Sequence, residues 1–245
     1  HINDLYHTNI SKDVQKRIMT GDKSLILPLI SYYGTGRLYA QKKEKKNIKS
    51  LTEFKRQVGY VDCMVAESNE KLMLNWFQIQ TLKSLQKQQR TGKVEKPLLL
   101  RTVEAAICKC FERISSSKNA SIVFDLDTHR LVLDFESVDG SLQKFAMDEM
   151  SDGYKNTLSM IGDIAYRMAV LNPMLGDKVL EETSGVVVID EIDLHLHPKW
   201  QQTIISDLNT IFPKIQFIVS SHAPAVINSV RKEQIRILDN GEARK

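Results

Sequence analysis

Cysteine is scarce in this sequence, and the little it has is badly placed for staples. Cys63, Cys108 and Cys110 form no CxxC pair and show no metal-ligand spacing. Cys108 and Cys110 stand two apart in a helical pattern, so their side chains point in different directions. This argues against a disulfide framework and a zinc site, and reduced thiols in a cytoplasmic setting are expected. No apolar run reaches the roughly 18 residues of a membrane-crossing helix, and no signal-peptide pattern opens the chain at His1. A large excess of one charge is also missing. The 34 basic residues nearly balance the 30 acidic ones, and a net charge of +4 is too mild to argue nucleic-acid binding. The most basic stretch runs from Arg37 through Lys42, Lys43, Lys45 and Lys46 to Lys49. Only Tyr39 lies there to stack on a base, so a solvated face is the plainer reading and phosphate contact the alternative. Finally, no GxxxxGK[ST] phosphate loop occurs in the chain. Gly34-Thr35-Gly36 follows the apolar run Leu25 to Tyr33 but is too short for that loop or for GxGxxG.

What the chain does have is a buried-strand pattern ending in acids. Val186 to Ile189 is β-branched throughout and runs into Asp190-Glu191. Such a run reads as a strand covered on both faces, and open α/β sheets place their ligands at the C-terminal ends of strands. Two acids ending a strand for solubility is the bland alternative. A hydrated Mg2+ held by Asp190 and a water held by Glu191 is the chemical one. Ile215 to Val219 is a second such run and ends in Ser220-Ser221-His222. Between the two runs, Pro198 opens a helix whose apolar stripe is Trp200, Ile204, Leu208 and Ile211. Ile235 to Leu238 reads as a third strand, giving the alternation typical of a parallel sheet.

Upstream the periodicities differ. Residues 51–116 carry helical stripes, with Leu72, Trp76 and Ile79 in one and Val103, Ile107, Cys110, Phe111 and Ile114 in another. A shorter helical patch stands around Val14 to Ile18. Ser121–Leu126 and Arg130–Phe135 alternate as an antiparallel hairpin, and Leu142 to Met147 follows as a third short strand. A long helix then runs from about Thr157 to Val170, with Ser151 placed as its N-cap. Ser151, Asp152 and Gly153 support either an ordinary capped helix or an anion site built on the helix N-terminus.

SYYGTGR, MSDGYKN, VVVIDEIDLHLHPKWQQ and FIVSSHAP together resemble the ATP-binding heads of the ABC superfamily, which includes SMC and RecF-like ATPases. The nearest likeness is to the OLD-like and PtuA-type ATPases of bacterial anti-phage systems. The resemblance implies an α/β head with a parallel core sheet, a helical insertion and a small antiparallel β layer. It divides the chain into 1–37, a remnant of the N-terminal ATPase lobe; 38–120, the helical insertion; and 121–245, the signature, Walker B and switch part. It implies ATP and Mg2+ as cofactors. Asp190 would hold the metal, Glu191 would act as general base, and His222 would reach the γ-phosphate. Ser151, Asp152 and Gly153 would form the signature that acts on the nucleotide of a second subunit, giving a homodimer. Asp193 and His195 would lie in the interface loop, and Tyr32 to Arg37 would relay the nucleotide state. His195 and His197 could ligate metal in principle, but no third ligand stands at matching spacing. The implied partner is an HNH-type nuclease, with DNA or RNA as a further ligand. A RecF/SMC-like repair ATPase and a non-hydrolysing scaffold are the alternatives. The missing phosphate loop implies a segment upstream of His1, so the 245 residues alone are expected to bind ATP weakly. Isothermal titration of ATP into this chain and into a version extended upstream checks this, and micromolar binding by the chain alone would overturn it.

Overall fold

The computed structural model describes residues 16–17, 20, 22, 24–38, 56–65, 70–239 and 242–244. The basic run Lys42 to Lys49, residues 51–55, Asn240-Gly241 and most of the patch around Val14 lie outside these. In chain order the elements are β1 (Leu29–Tyr33), a 3-10 turn Thr35–Leu38, a 3-10 turn Arg56–Tyr60, α1 (Glu70–Thr91) and α2 (Leu98–Ser115). Next come β2 (Lys118–Asp125), β3 (Arg130–Glu136), β4 (Leu142–Ala146), α3 (Asp152–Leu171), α4 (Val179–Glu182) and β5 (Gly185–Ile189). The chain continues with α5 (Pro198–Gln201), α6 (Ile204–Ile211), β6 (Ile215–Val219), α7 (Pro224–Ile227), β7 (Ile237–Asp239) and β8 (Glu242–Arg244).

The core sheet is parallel, in the order β1-β5-β6. Pro28 has no N–H to give a ladder, so β1 begins just after it. Leu29, Val187, Ile189 and Ile215 are buried on the inner face. The outer face still shows Ile30 and Ile218, which are about half exposed at 46% and 51%. The second sheet is the expected hairpin plus one strand, antiparallel in the order β2-β3-β4.

Helix α3 is the hub. From Thr157 to Leu171 almost every residue is buried, so it is apolar on all sides rather than along one stripe. Gly162 makes this packing possible. A Cβ there would meet the Met73 sulfur of α1 at 2.8 Å and the Ile107 side chain of α2 at 3.1 Å. One hydrophobic cluster joins α1, α2, α3, the hairpin and the inner face of the parallel sheet.

Inside that core α3 buries an ion pair one turn apart. Arg167 Nε meets Asp163 Oδ2 at 2.7 Å, with side-chain exposures of 3% and 5%. Tyr33, at the end of β1, donates its hydroxyl to the same oxygen at 2.7 Å. Arg167 also donates to the carbonyls of Gly59 and Val61, each at 2.9 Å. Burial works against the Arg167 charge, but Asp163 and then Tyr33 outweigh it and hold the guanidinium above its usual pKa. Burial, then the Asp163 charge, push the Tyr33 phenol well above its ordinary value, so it stays a neutral donor. At the end of α3, Asn172 closes the entry to β1, accepting the Leu27 N–H at 2.8 Å and donating to the Leu27 carbonyl at 2.9 Å.

Two expectations need correction. Ile235 to Leu238 does not join the parallel sheet. β7 pairs antiparallel with β8 in a separate ribbon, and Ile237 and Leu238 are 62% and 77% exposed. The Asn-Gly dipeptide between the two strands favours a hairpin over a crossover. The helix from Pro198 to Ile211 is also two helices. At the break the Thr203 N–H bonds the Trp200 carbonyl, three residues back, and tightens the last turn of α5.

Removing Arg167 would leave a carboxylate buried without its counter-charge. Arg167→Met is therefore expected to cost about 3–5 kcal/mol of stability, and Tyr33→Phe about 1–3 kcal/mol. Urea unfolding curves check both, and a loss below about 1 kcal/mol for Arg167→Met would contradict a structural role for the pair.

Candidate functional site

Parallel pairing aligns three strand ends. Tyr33 faces Ile189, and Ile189 faces Val219. The next residues, Gly34, Asp190 and Ser220, therefore leave one edge of the sheet side by side. Asp190 extends the β1 ladder by donating its N–H to the Tyr33 carbonyl at 2.8 Å. Beyond Asp190 the backbone leaves the strand abruptly, because Glu191 takes a left-handed conformation at φ 48°. His195 does the same at φ 61°. Such conformations cost a non-glycine residue on the order of 1–2 kcal/mol each. Two short turns, Leu194 N–H to the Glu191 carbonyl and Leu196 N–H to the Asp193 carbonyl, both at 3.0 Å, coil the loop between them.

The coil carries His195 against the start of α3. A Cβ on Gly153 would lie 2.5 Å from the His195 carbonyl oxygen and 3.4 Å from the Trp200 ring. Glycine is the residue that lets the helix start and the loop approach this closely. Tyr154 and Trp200 brace the contact edge to face, with centroids 4.3 Å apart. Ser151 occupies the N-cap position with extended backbone, as expected, but its side chain makes no capping bond. Asp152 sits exposed in the first turn. His197 caps α5, its Nδ1 accepting the Lys199 N–H at 3.3 Å.

The end of β6 supplies two contacts that sequence reasoning missed. The Ser220 hydroxyl donates to Asp190 Oδ1 at 2.5 Å and accepts the Glu191 N–H at 2.8 Å. The Ser221 hydroxyl donates to Asp193 Oδ1 at 2.5 Å and accepts the Ala223 N–H at 3.1 Å. Adjacent hydroxyls before a histidine at a strand end were the only signal in the sequence. His222 follows them, exposed, just ahead of α7.

Asp190, Glu191, Asp193 and His222 are thus gathered at one sheet edge, with His195 and Gly153 in direct contact at its flank. Among the described residues no group of three or more His, Cys, Asp or Glu side chains forms a metal cage. A single carboxylate beside a hydroxyl suits Mg2+, which keeps most of its waters and takes further ligands from substrate phosphates. Nothing in the sequence provides the phosphate loop that would hold those phosphates.

The family model described as "AAA domain, putative AbiEii toxin, Type IV TA system" matches residues 32–228, from β1 through α7 and so well over half of the chain. The chain belongs to this family. Among similar proteins, the Retron Vc95 probable ATPase of Vibrio cholerae is 50% identical over 90 residues, 37% of this chain and 17% of that protein. The Retron Ec83 probable ATPase of Escherichia coli is 43% identical over 105 residues, 43% of this chain and 19% of the relative. The Septu protein PtuA of Bacillus mycoides is 36% identical over 98 residues, 40% of this chain and 13% of the relative. The matches thus span less than a fifth of each of these proteins. The AAA-domain family agrees with the expected ATPase head, and the fold has the expected parallel core sheet and small antiparallel layer.

Gly153→Ala would force the His195 carbonyl away from α3. It is expected to cost about 1–3 kcal/mol and to change the near-ultraviolet circular dichroism of the Tyr154–Trp200 pair. An unchanged spectrum with unchanged stability would show that the loop does not rest on Gly153.

Proposed function

We propose that this chain carries the hydrolytic part of an ATP site in an ABC-type ATPase subunit of a bacterial anti-phage system. The observation that carries the proposal is the flush alignment of Asp190-Glu191 and Ser220–His222 at the C-terminal edge of one parallel sheet. Membership of the AAA-domain family and the retron and Septu relatives support it.

In this reading Asp190 holds the hydrated Mg2+, which neutralises developing charge on the phosphoryl oxygens. Glu191 accepts a proton from the attacking water or polarises it. His222 donates toward the transferred phosphoryl group. Ser151, Asp152 and Gly153 present the start of α3 to the nucleotide of a second subunit, with Asp193 and His195 in the adjoining loop. Two copies would then close on ATP as a homodimer. Residues 1–37, 38–120 and 121–245 are assigned to the remnant of the N-terminal lobe, the helical insertion and the signature-to-switch part. The proposed setting is the cytoplasm, with an HNH-type nuclease as the controlled partner and DNA or RNA as a further ligand. Among the described residues no helix is long and apolar enough to cross a membrane.

Glu191→Gln keeps the size and backbone preference of residue 191 and removes its basicity. In the full-length protein it is expected to lower kcat for ATP by about 100- to 10,000-fold while ATP-dependent dimers persist on gel filtration. Unchanged turnover would remove Glu191 from the role of base. Absent turnover in both proteins, with ATP still bound, would favour a non-hydrolysing scaffold.

A further inference from the structure

Ser220 bonds four consecutive residues of the candidate site. Its N–H donates to the Ile189 carbonyl and its carbonyl accepts the Ile192 N–H, both at 3.0 Å. Its hydroxyl covers the two residues between, donating to Asp190 Oδ1 at 2.5 Å and accepting the Glu191 N–H at 2.8 Å. A hydroxyl has one proton to give and lone pairs to accept with, and here both capacities are used on adjacent acids.

The left-handed backbone of Glu191 makes this more than the tidy end of a strand. Glutamate does not favour that conformation, so neighbouring contacts must hold it. The hydroxyl of Ser220 is bonded to the amide of that very residue. The Ser221 hydroxyl extends the same arrangement to Asp193 at 2.5 Å. The strand end that precedes His222 therefore grips the loop at every residue from Ile189 to Asp193.

We infer that Ser220 is a positioning residue for ATP hydrolysis: its hydroxyl fixes the Asp190 carboxylate and the left-handed Glu191 backbone, setting metal holder and base in one mutual geometry. This rests on the ATPase reading of the site. The hydroxyl acts through Asp190 and Glu191. Its removal therefore alters the chemical step and the Mg2+ requirement more than ATP affinity. Threonine preserves the donor and acceptor, and alanine removes both.

The test compares the full-length wild type with Ser220→Ala and Ser220→Thr. Ser220→Ala is expected to lower kcat by about 10- to 100-fold and to raise the Mg2+ concentration for half-maximal rate. KM for ATP should stay within about threefold, and Ser220→Thr should recover most of the rate. A second readout needs no nucleotide. Hydrogen exchange at the Glu191 amide should accelerate by about tenfold or more in Ser220→Ala and remain near wild type in Ser220→Thr. Equal kcat in the wild type and Ser220→Ala would overturn the inference, as would a loss confined to KM or one that simply follows melting temperature. The two possible failures are separable. No hydrolysis by the wild type would overturn the ATPase reading and the catalytic role with it, while unchanged Glu191 exchange in Ser220→Ala would overturn the hydroxyl's hold on the loop.

Discussion

The hydrogen-bond ladder between β1, β5 and β6 sets where Asp190, Glu191 and Ser220–His222 stand. Because the strands are parallel and in flush register, their C-terminal ends coincide and three loops leave the sheet at one edge. The ladder does not stop at the last strand residue. Asp190 continues it toward β1, and Ser220 continues it toward β5. Geometry at the site is thus inherited from backbone pairing, which tolerates little drift. A slip of one residue in either strand would exchange inner and outer faces of the sheet and dissolve the alignment together with the core.

Helix α3 ties this edge to the rest of the molecule. Its first turn touches the His195 loop, and its middle holds the Asp163–Arg167 pair that receives Tyr33 from the end of β1. The Tyr33 carbonyl in turn receives Asp190. One helix therefore reaches the segment that carries the candidate acids by two routes, through the His195 loop and through β1. Arg167 adds the segment around Gly59 and Val61 to the same network. A buried ion pair adds little net stability, but it is unforgiving of misalignment, which suits a junction that must keep several elements in one arrangement.

Local signals carried much of this into the sequence. The hairpin announced itself by alternation, α3 by its serine start, and β5 by an unbroken β-branched run. The signals failed where tertiary context decides. Trp200, Ile204, Leu208 and Ile211 keep helical spacing across a break they do not reveal, since the break lies in the backbone at Gln202 and Thr203. Ile235 to Leu238 looks like core, yet β7 leaves its large side chains exposed. The acids and His222 could be found from motif wording, whereas Ser220 could not, because its partners are set by strand register 29 and 30 residues away. The Tyr33–Asp163 bond spans 130 residues and leaves no local trace.

The left-handed backbone at Glu191 also bears on how this position can vary through evolution. Glycine would relieve the conformational cost there, and asparagine would tolerate it well. Either change would discard the long carboxylate. Two demands therefore pull against each other at a single codon, one from backbone comfort and one from side-chain chemistry. A lineage that no longer needs the acid should drift toward glycine or asparagine at this residue, while one that retains the acid keeps a strained glutamate. The residue found at position 191 in relatives becomes a readable record of whether the chemistry is still under selection.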